Sequence, residues 1–210
     1  MPSDPSDSSV DTQTQILDTA ERLFAEQGFG ATSLRSIIRA ADVNLAAIHY
    51  HFGSKDKLIF AAVQRMAKPI VESEIELLKA AEAKENPLSL ETILHAFFAP
   101  GLEIIYQAPG DQGLIRARFM GRCRIEPEVE AIAVQEFSLT SQLFTAALQK
   151  ALPDKPIAEL NWKFDLAIAM LIRVLCAANR PGALLQGKSP KEIETAIQRL
   201  VRFTAAGMKS

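Results

Sequence analysis

The segment Thr32-Ser-Leu-Arg-Ser-Ile-Ile-Arg-Ala-Ala-Asp-Val-Asn-Leu-Ala-Ala-Ile-His-Tyr-His-Phe-Gly-Ser-Lys55 constrains this chain more than any other. It reads as two short helices joined by a tight turn, followed by the start of another helix. That layout is a helix-turn-helix, which seats its second helix in the DNA major groove. Whatever the rest of the chain does, it must support a three-helix unit at this place.

The flanking pattern agrees. From Thr12 to Gln27, Ile16, Ala20, Leu23 and Phe24 fall on one helical face, and Gly28 stands where a helix stops. Thr32 or Ser33 caps the next helix, whose inward face is Leu34, Ile37, Ile38 and Ala41. Asp42-Val43-Asn44 is the turn. Asn44 caps the third helix, with Leu45, Ile48 and Phe52 facing in. Gly53 ends that helix and Ser54 caps the fourth. The fourth runs through Phe60, Val63 and Met66, and Pro69 inside it predicts a kink, a hinge between the two halves of the chain. Asn86-Pro87 ends it.

Beyond Pro87 aromatic and aliphatic residues become denser, punctuated by Pro100-Gly101, Pro109-Gly110, Glu126-Pro127, Pro153 to Pro156, Pro181-Gly182 and Ser189-Pro190. Helices are expected near 89–107, 112–123, 127–151, 157–179 and 191–206, with no alternating strand pattern. The expected fold is all-α. The chain divides into a disordered tail over 1–10, a helix-turn-helix DNA-binding domain over 11–58, a connecting helix over 59–86, and a ligand-binding and dimerisation domain over 87–210.

Composition narrows the function. There are 23 Lys+Arg against 25 Asp+Glu, a net charge of -2. A broad basic coat is therefore excluded, and DNA contact must come from a local patch and helix N-termini. Cys123 and Cys176 lie far apart, which argues against a disulfide framework or zinc knuckle and for reduced thiols. The opening MPSDPSDSSV lacks the basic and apolar parts of a leader and reads as a frayed tail. The longest apolar run, 166–175, is interrupted by Arg173 and is too short to cross a bilayer. A cytoplasmic protein without a membrane partner is expected.

With Leu23, Phe24, Leu34, Ile37, Ile38, Val43, Leu45, Ile48 and Phe52 as the interior of the three-helix unit, the outer surface is the functional inventory. Ala46 and Ala47 allow close approach to base edges, and their methyls suit a thymine methyl. His49 donates to a base or phosphate, and Tyr50 is a phosphate donor, with His51 beside it. Thr32 and Ser33 at a helix start, Asn44 at the next, and Lys55 in the first turn of the fourth helix complete the set. Arg35 and Arg39 add positive charge. His49 and His51 point about 200° apart on a helix, so they make poor metal co-ligands. No metal, cofactor or catalytic group is expected: the chain has no Ser/His/Asp arrangement, Gly-rich phosphate loop or paired carboxylates.

These residues resemble the DNA-binding domain of the TetR family of transcriptional regulators over positions 14–60. Ile16, Ala20, Leu23, Phe24, Gly28, Thr32, Ile37, Ala41, Val43, Ala47, Tyr50, His51, Phe52, Lys55 and Leu58 carry the likeness. The resemblance implies an all-α homodimer on double-stranded operator DNA. It also implies a divergent C-terminal domain whose small-molecule effector alters the spacing of the two recognition helices and usually releases DNA. Val43 to Lys55 and the ending Ala205-Ala-Gly-Met208 are similar to a fatty-acid-responsive, PsrA-like subgroup. Asp42 stands where the family commonly has Gly. Asp tolerates a left-handed turn, so the fold survives, but its charge weakens nonspecific attraction to DNA.

The expected effector is small and apolar, acyl or fatty-acid-like, held among Phe97, Phe98, Phe119, Met120, Phe137, Phe144 and Phe164. Arg116, first of four arginines in residues 116–124, would meet a carboxylate; the alternative is a solvated face with arginines pairing Glu126 and Glu128. Ile168, Leu171, Ile172 and Leu175, with Ile197 and Leu200, form two stripes that two copies would close into a four-helix bundle. The competing functional reading is a small-molecule-binding or redox-sensing helical regulator with another output, sensing through Cys123.

Overall fold

Apolar periodicity becomes helix along the whole chain. The computed structural model describes residues 5–210, with side chains from Asp11 onward, and contains no strand among them. The helices are α1 (Pro5–Gln27), α2 (Leu34–Ala41), α3 (Leu45–His51), α4 (Lys55–Glu82), α5 (Leu90–Gln107), α6 (Gln112–Cys123), α7 (Pro127–Glu136), α8 (Ser138–Ala151), α9 (Ile157–Ala177) and α10 (Pro190–Lys209). Of the tail expected over 1–10, residues 1–4 lie outside the described residues, and from Pro5 the backbone is already α1. Extending an anchored helix adds one hydrogen bond per residue at no new nucleation cost, so a polar extension need not fray.

Local caps account for the helix starts. Ser33 accepts from Ser36 N, and the Ser36 hydroxyl accepts from Ser33 N in return. Asn44, Ser54, Ser89 and Ser189 do the same work for α3, α4, α5 and α10. Asp42 closes α2 in the left-handed region at φ 50°, ψ 46°, the conformation its short polar side chain tolerates. The helix α4 runs unbroken through Pro69 to Glu82. The single helix expected over 127–151 divides at Phe137, where ψ is 4°. There the hydroxyls of Ser138 and Thr140 donate to the carbonyls of Gln135 and Phe137, giving the backbone an alternative to the ladder.

The head formed by α1–α3 and the start of α4 closes around Ile16, Ala20, Phe24, Ile37, Ile48 and Leu58, all buried. Leu45, expected inside, is 52% exposed. A helical side chain covers the turn N-terminal to its own Cα, and at Asn44 the chain has already turned away. In the body, α5 is apolar over most of its surface, with Glu91, Thr92 and His95 at an open groove, and packs against α4, α6, α8, α9 and α10.

The same centrality corrects the expected association surface. Leu171, Leu175, Ile197 and Leu200 are buried within their own chain, while Ile168 and Ile172 are half-buried along an internal cavity. Periodicity shows that α9 and α10 each have an apolar face, but not that α6 covers much of the first and α5 the second. Besides Ile157 at the start of α9, the large apolar residues these helices expose are Trp162 (52%), Leu166 (55%) and Phe203 (72%), which share a shallow surface depression with Ala169 and Met170.

Head and body are joined through α1 and α6. Phe29 stacks on Phe24 at 4.7 Å and meets Phe119 at 5.5 Å. Arg122 Nε donates to the carbonyl of Ala25 at 3.0 Å and Nη2 to that of Glu26 at 3.3 Å. Phe29 N donates to Glu126 Oε2 at 2.8 Å. Gly28 lies between these groups at φ 92°, a conformation that favours glycine, and a Cβ there would come within 2.9 Å of Arg122 Nη1 and disturb this joint. A second tie runs from α4 to α1, where Arg65 bonds both Glu21 and Asp18.

Candidate nucleic-acid interface and effector cavity

The recognition helix α3 is short, and its core contact is Ile48. That leaves Leu45, Ala46, His49 and Tyr50 on the outside, with Tyr50 81% exposed and Ala47 half-buried. His49 Nδ1 lies 2.9 Å from the carbonyl of Gly53. A carbonyl only accepts, so Nδ1 carries the proton and Nε2 is left for an outside partner. His51 is half-buried, edge-on to Tyr50 at 5.0 Å. Arg35 and Arg39 are exposed on α2.

Several expected contacts have internal partners instead. The Thr32 hydroxyl is fully buried, 2.7 Å from the carbonyl of Gly28 and 3.3 Å from that of Leu23, so it fastens the end of α1 and is not offered to phosphate. Lys55 Nζ donates to the carbonyl of Phe29 at 2.7 Å. Ser33 and Asn44 use side-chain oxygens as helix caps, and Asn44 keeps its amide N–H groups. Leu45 and the exposed Lys57 belong to this surface although the sequence reading placed neither there. Lys57, two residues after the Lys55 already chosen, was the available signal.

In the body, a cavity opens between α4, α5, α6, α8 and α9. Phe97, Met120, Phe137, Phe144, Phe164, Ile168, Leu171, Ile172 and Leu175 line it, with Glu74, Thr140 and Arg124 as polar members. Three expected members lie elsewhere. Phe119 faces the other way, against Phe24 and Phe29. Phe98 is fully buried beside Phe97 and off the lining. Arg116 lies in a groove against Asp18, Glu21 and Arg22 of α1. The guanidinium at the cavity is that of Arg124, while Arg122 pairs with Glu126 at 2.7 Å. A wider open groove near His95, of about 1030 Å³, is edged by charged side chains and crossed by the Lys209–Glu91 ion pair.

Glu74 was not anticipated. It is 3% exposed, and burial raises its carboxyl to about 8, against a smaller downward pull from Thr140. Its signal in the sequence was an acid four residues from Ile70 and four from Leu78, in an otherwise apolar register. Cys123 is buried, and burial pushes its thiol up, which removes the thiolate that redox sensing requires.

Residues 16–62 match the family described as bacterial regulatory proteins, tetR family, and residues 95–207 match the tetracyclin repressor-like C-terminal domain. The chain belongs to the TetR family. This is a family of helix-turn-helix transcriptional regulators, not of enzymes. The TetR-family chain is 38% identical over 87 residues to the regulator AcrR of Shigella flexneri, covering 40% of each chain. It is 35% identical over 75 residues to HdnoR of Paenarthrobacter nicotinovorans, a nicotine-responsive repressor, covering 36% of this chain and 39% of that one. The chain thus spans about 40% of the length of these curated relatives. Its fold is that of a TetR-family regulator from Shewanella sp. PV-4, with TM-score 0.64, 16% identity and coverage of 91% and 97%. KstR2 of Mycobacterium tuberculosis gives TM-score 0.62, 15% identity and 93% coverage of both. No described helix is long and apolar enough to cross a membrane.

Proposed function

We propose that this chain is a cytoplasmic repressor that binds twofold-symmetric double-stranded operator DNA as a homodimer and leaves it when a small apolar effector enters the α4–α9 cavity. The two-sided character of α6 carries this reading. Met120 and Arg124 line the cavity, while Phe119 and Arg122 on the same helix grip the end of α1. A shift of α6 on effector binding therefore moves the helix that frames the DNA head.

The dimer forms through the outer faces of α9 and α10, centred on Trp162, Leu166 and Phe203. Tyr50, His49, Leu45 and Ala46 meet the major groove, with Ser33, Arg35, Asn44 and Lys57 toward the phosphates. An acyl chain suits the aliphatic and aromatic lining, and the name of the nicotine-responsive relative gives a precedent for effector control. Footprinting on the DNA upstream of its own gene tests the proposal. A symmetric protected region whose affinity falls steeply with salt supports it, and no protection by folded dimer rejects it.

A further inference from the structure

Glu74 lies on α4 between Ile70 and Leu78, on a face the helix otherwise buries as apolar surface. Its Oε2 is buried without a hydrogen-bond partner. The neighbouring Thr140 hydroxyl pulls the carboxyl down by less than burial raises it, and it also donates to the carbonyl of Phe137 at 3.2 Å. Glu21, the other fully buried acid, has Arg65, and the half-buried Glu126 has Arg122. Glu74 has none among the described residues. A polar group left without a partner in such surroundings is costly, and a charge costs more still.

The cavity wall facing this carboxyl includes three mutually packed rings. Phe97 and Phe164 lie 4.8 Å apart, Phe97 and Phe144 5.6 Å, and Phe144 and Phe164 6.0 Å. Ring faces carry partial negative charge and attract cations. Arg124 is the only other ionisable group on the lining, and its charge is not among the influences on the Glu74 carboxyl. A buried carboxyl without a cation, able to ionise beside a set of rings, is the chemistry that recognises an organic ammonium.

Building on the effector-cavity reading above, we infer that the effector is an apolar amine, its ammonium on Glu74 and its apolar body against Phe97, Phe144 and Phe164. This departs from the expected fatty-acid-like ligand, whose carboxylate would find no opposite charge at Glu74. The free interior is about 50 Å³, room for roughly four waters. The body is therefore small, one ring or a short chain, and it enters by displacing the side chains around it. Burial holds Glu74 largely protonated at pH 7, so docking of an ammonium drives that proton into solution.

Calorimetric titration of the full chain with 2-phenylethylamine, 2-phenylethanol and phenylacetate tests this at pH 7 in two buffers of different ionisation enthalpy. The amine is expected to bind most tightly, with proton release seen as a buffer-dependent heat. Glu74→Gln is expected to weaken the amine by about 10- to 100-fold and to abolish the proton release, as loss of a charge-assisted hydrogen bond requires. Phenylacetate binding as tightly as the amine, an unchanged amine affinity in Glu74→Gln, or no amine binding at all overturns the inference. The wild-type comparison stands even if the variant folds poorly. Operator binding is measured on the same samples: its absence would reject the repressor reading, whereas DNA binding without amine preference rejects only this one.

Discussion

Arg122 of α6 and Glu126, the residue before α7, meet at 2.7 Å and together hold the end of α1. The guanidinium reaches the carbonyls of Ala25 and Glu26, and the carboxylate accepts the amide of Phe29. A carbonyl at a helix C-terminus has no ladder partner, so these bonds satisfy groups that would otherwise face outward. Two residues one turn apart thus couple the cavity helix to the DNA head.

Replacing the guanidinium while keeping its apolar stem, Arg122→Met, should loosen that joint without unfolding it. The side chain is 31% exposed, so the expected cost is only about 1–2 kcal/mol. Amide exchange should quicken over residues 25–30 and stay unchanged in α10. Unchanged exchange at Phe29 would show that the clamp is not what holds α1.

Thr32→Val separates a structural from a phosphate-binding hydroxyl. The buried hydroxyl lies 2.7 Å from the carbonyl of Gly28, so its removal should lower stability by roughly 1–2 kcal/mol in denaturant titration. DNA affinity of the folded protein should change little. A large affinity loss with unaltered stability would return Thr32 to the interface.

Glu74 gives stability a distinctive pH dependence. Its carboxyl stands at about 8 in the folded protein, against 4.5 ordinarily, because burial disfavours the charge. The folded state therefore keeps a proton that the unfolded chain has released. The group's contribution is full below pH 4.5 and is lost as pH rises to about 8, on the order of 4 kcal/mol across that window. Exposed acids with lowered values, such as Glu91 and Glu192, lose their contribution on the acid side instead. The stability difference between wild type and Glu74→Gln isolates the effect: it should shift in favour of the variant between pH 5 and 8, and parallel curves would contradict it.

The proposed dimer joins through the exposed apolar face of α9 and α10. Phe203→Glu combined with Leu166→Glu should halve the mass measured by light scattering, from twice 23.0 kDa to once. Circular dichroism should stay helical, since both side chains are exposed (72% and 55%) and touch little of their own core. A persistent dimer would place the interface elsewhere.

Features set by neighbouring residues were legible in the sequence. Ser33, Asn44 and Ser54 cap helices through bonds three residues long, and Gly28 and Asp42 take left-handed turns that few residues tolerate. Features set by packing between distant helices were not. Four arginines in residues 116–124 look alike on paper, yet their positions around α6 send Arg122 to α1 and Arg124 to the cavity. The apolar stripes of α9 and α10 were visible, but the packing of α5 and α6 against them decides that Leu171 and Ile197 are covered while Phe203 is not. Thr32 at a helix start resembles a cap until the carbonyl of Gly28 is found within its reach.

Selection of bound duplexes from a randomised DNA pool tests the central claim most directly, run with wild type and with Tyr50→Ala. Tyr50 is 81% exposed, so the variant should fold normally and change only what is bound. The account predicts that wild type enriches an inverted repeat whose half-sites are spaced for a twofold dimer, and that Tyr50→Ala weakens or erases that enrichment. A folded wild-type dimer that enriches no sequence over the starting pool would contradict it.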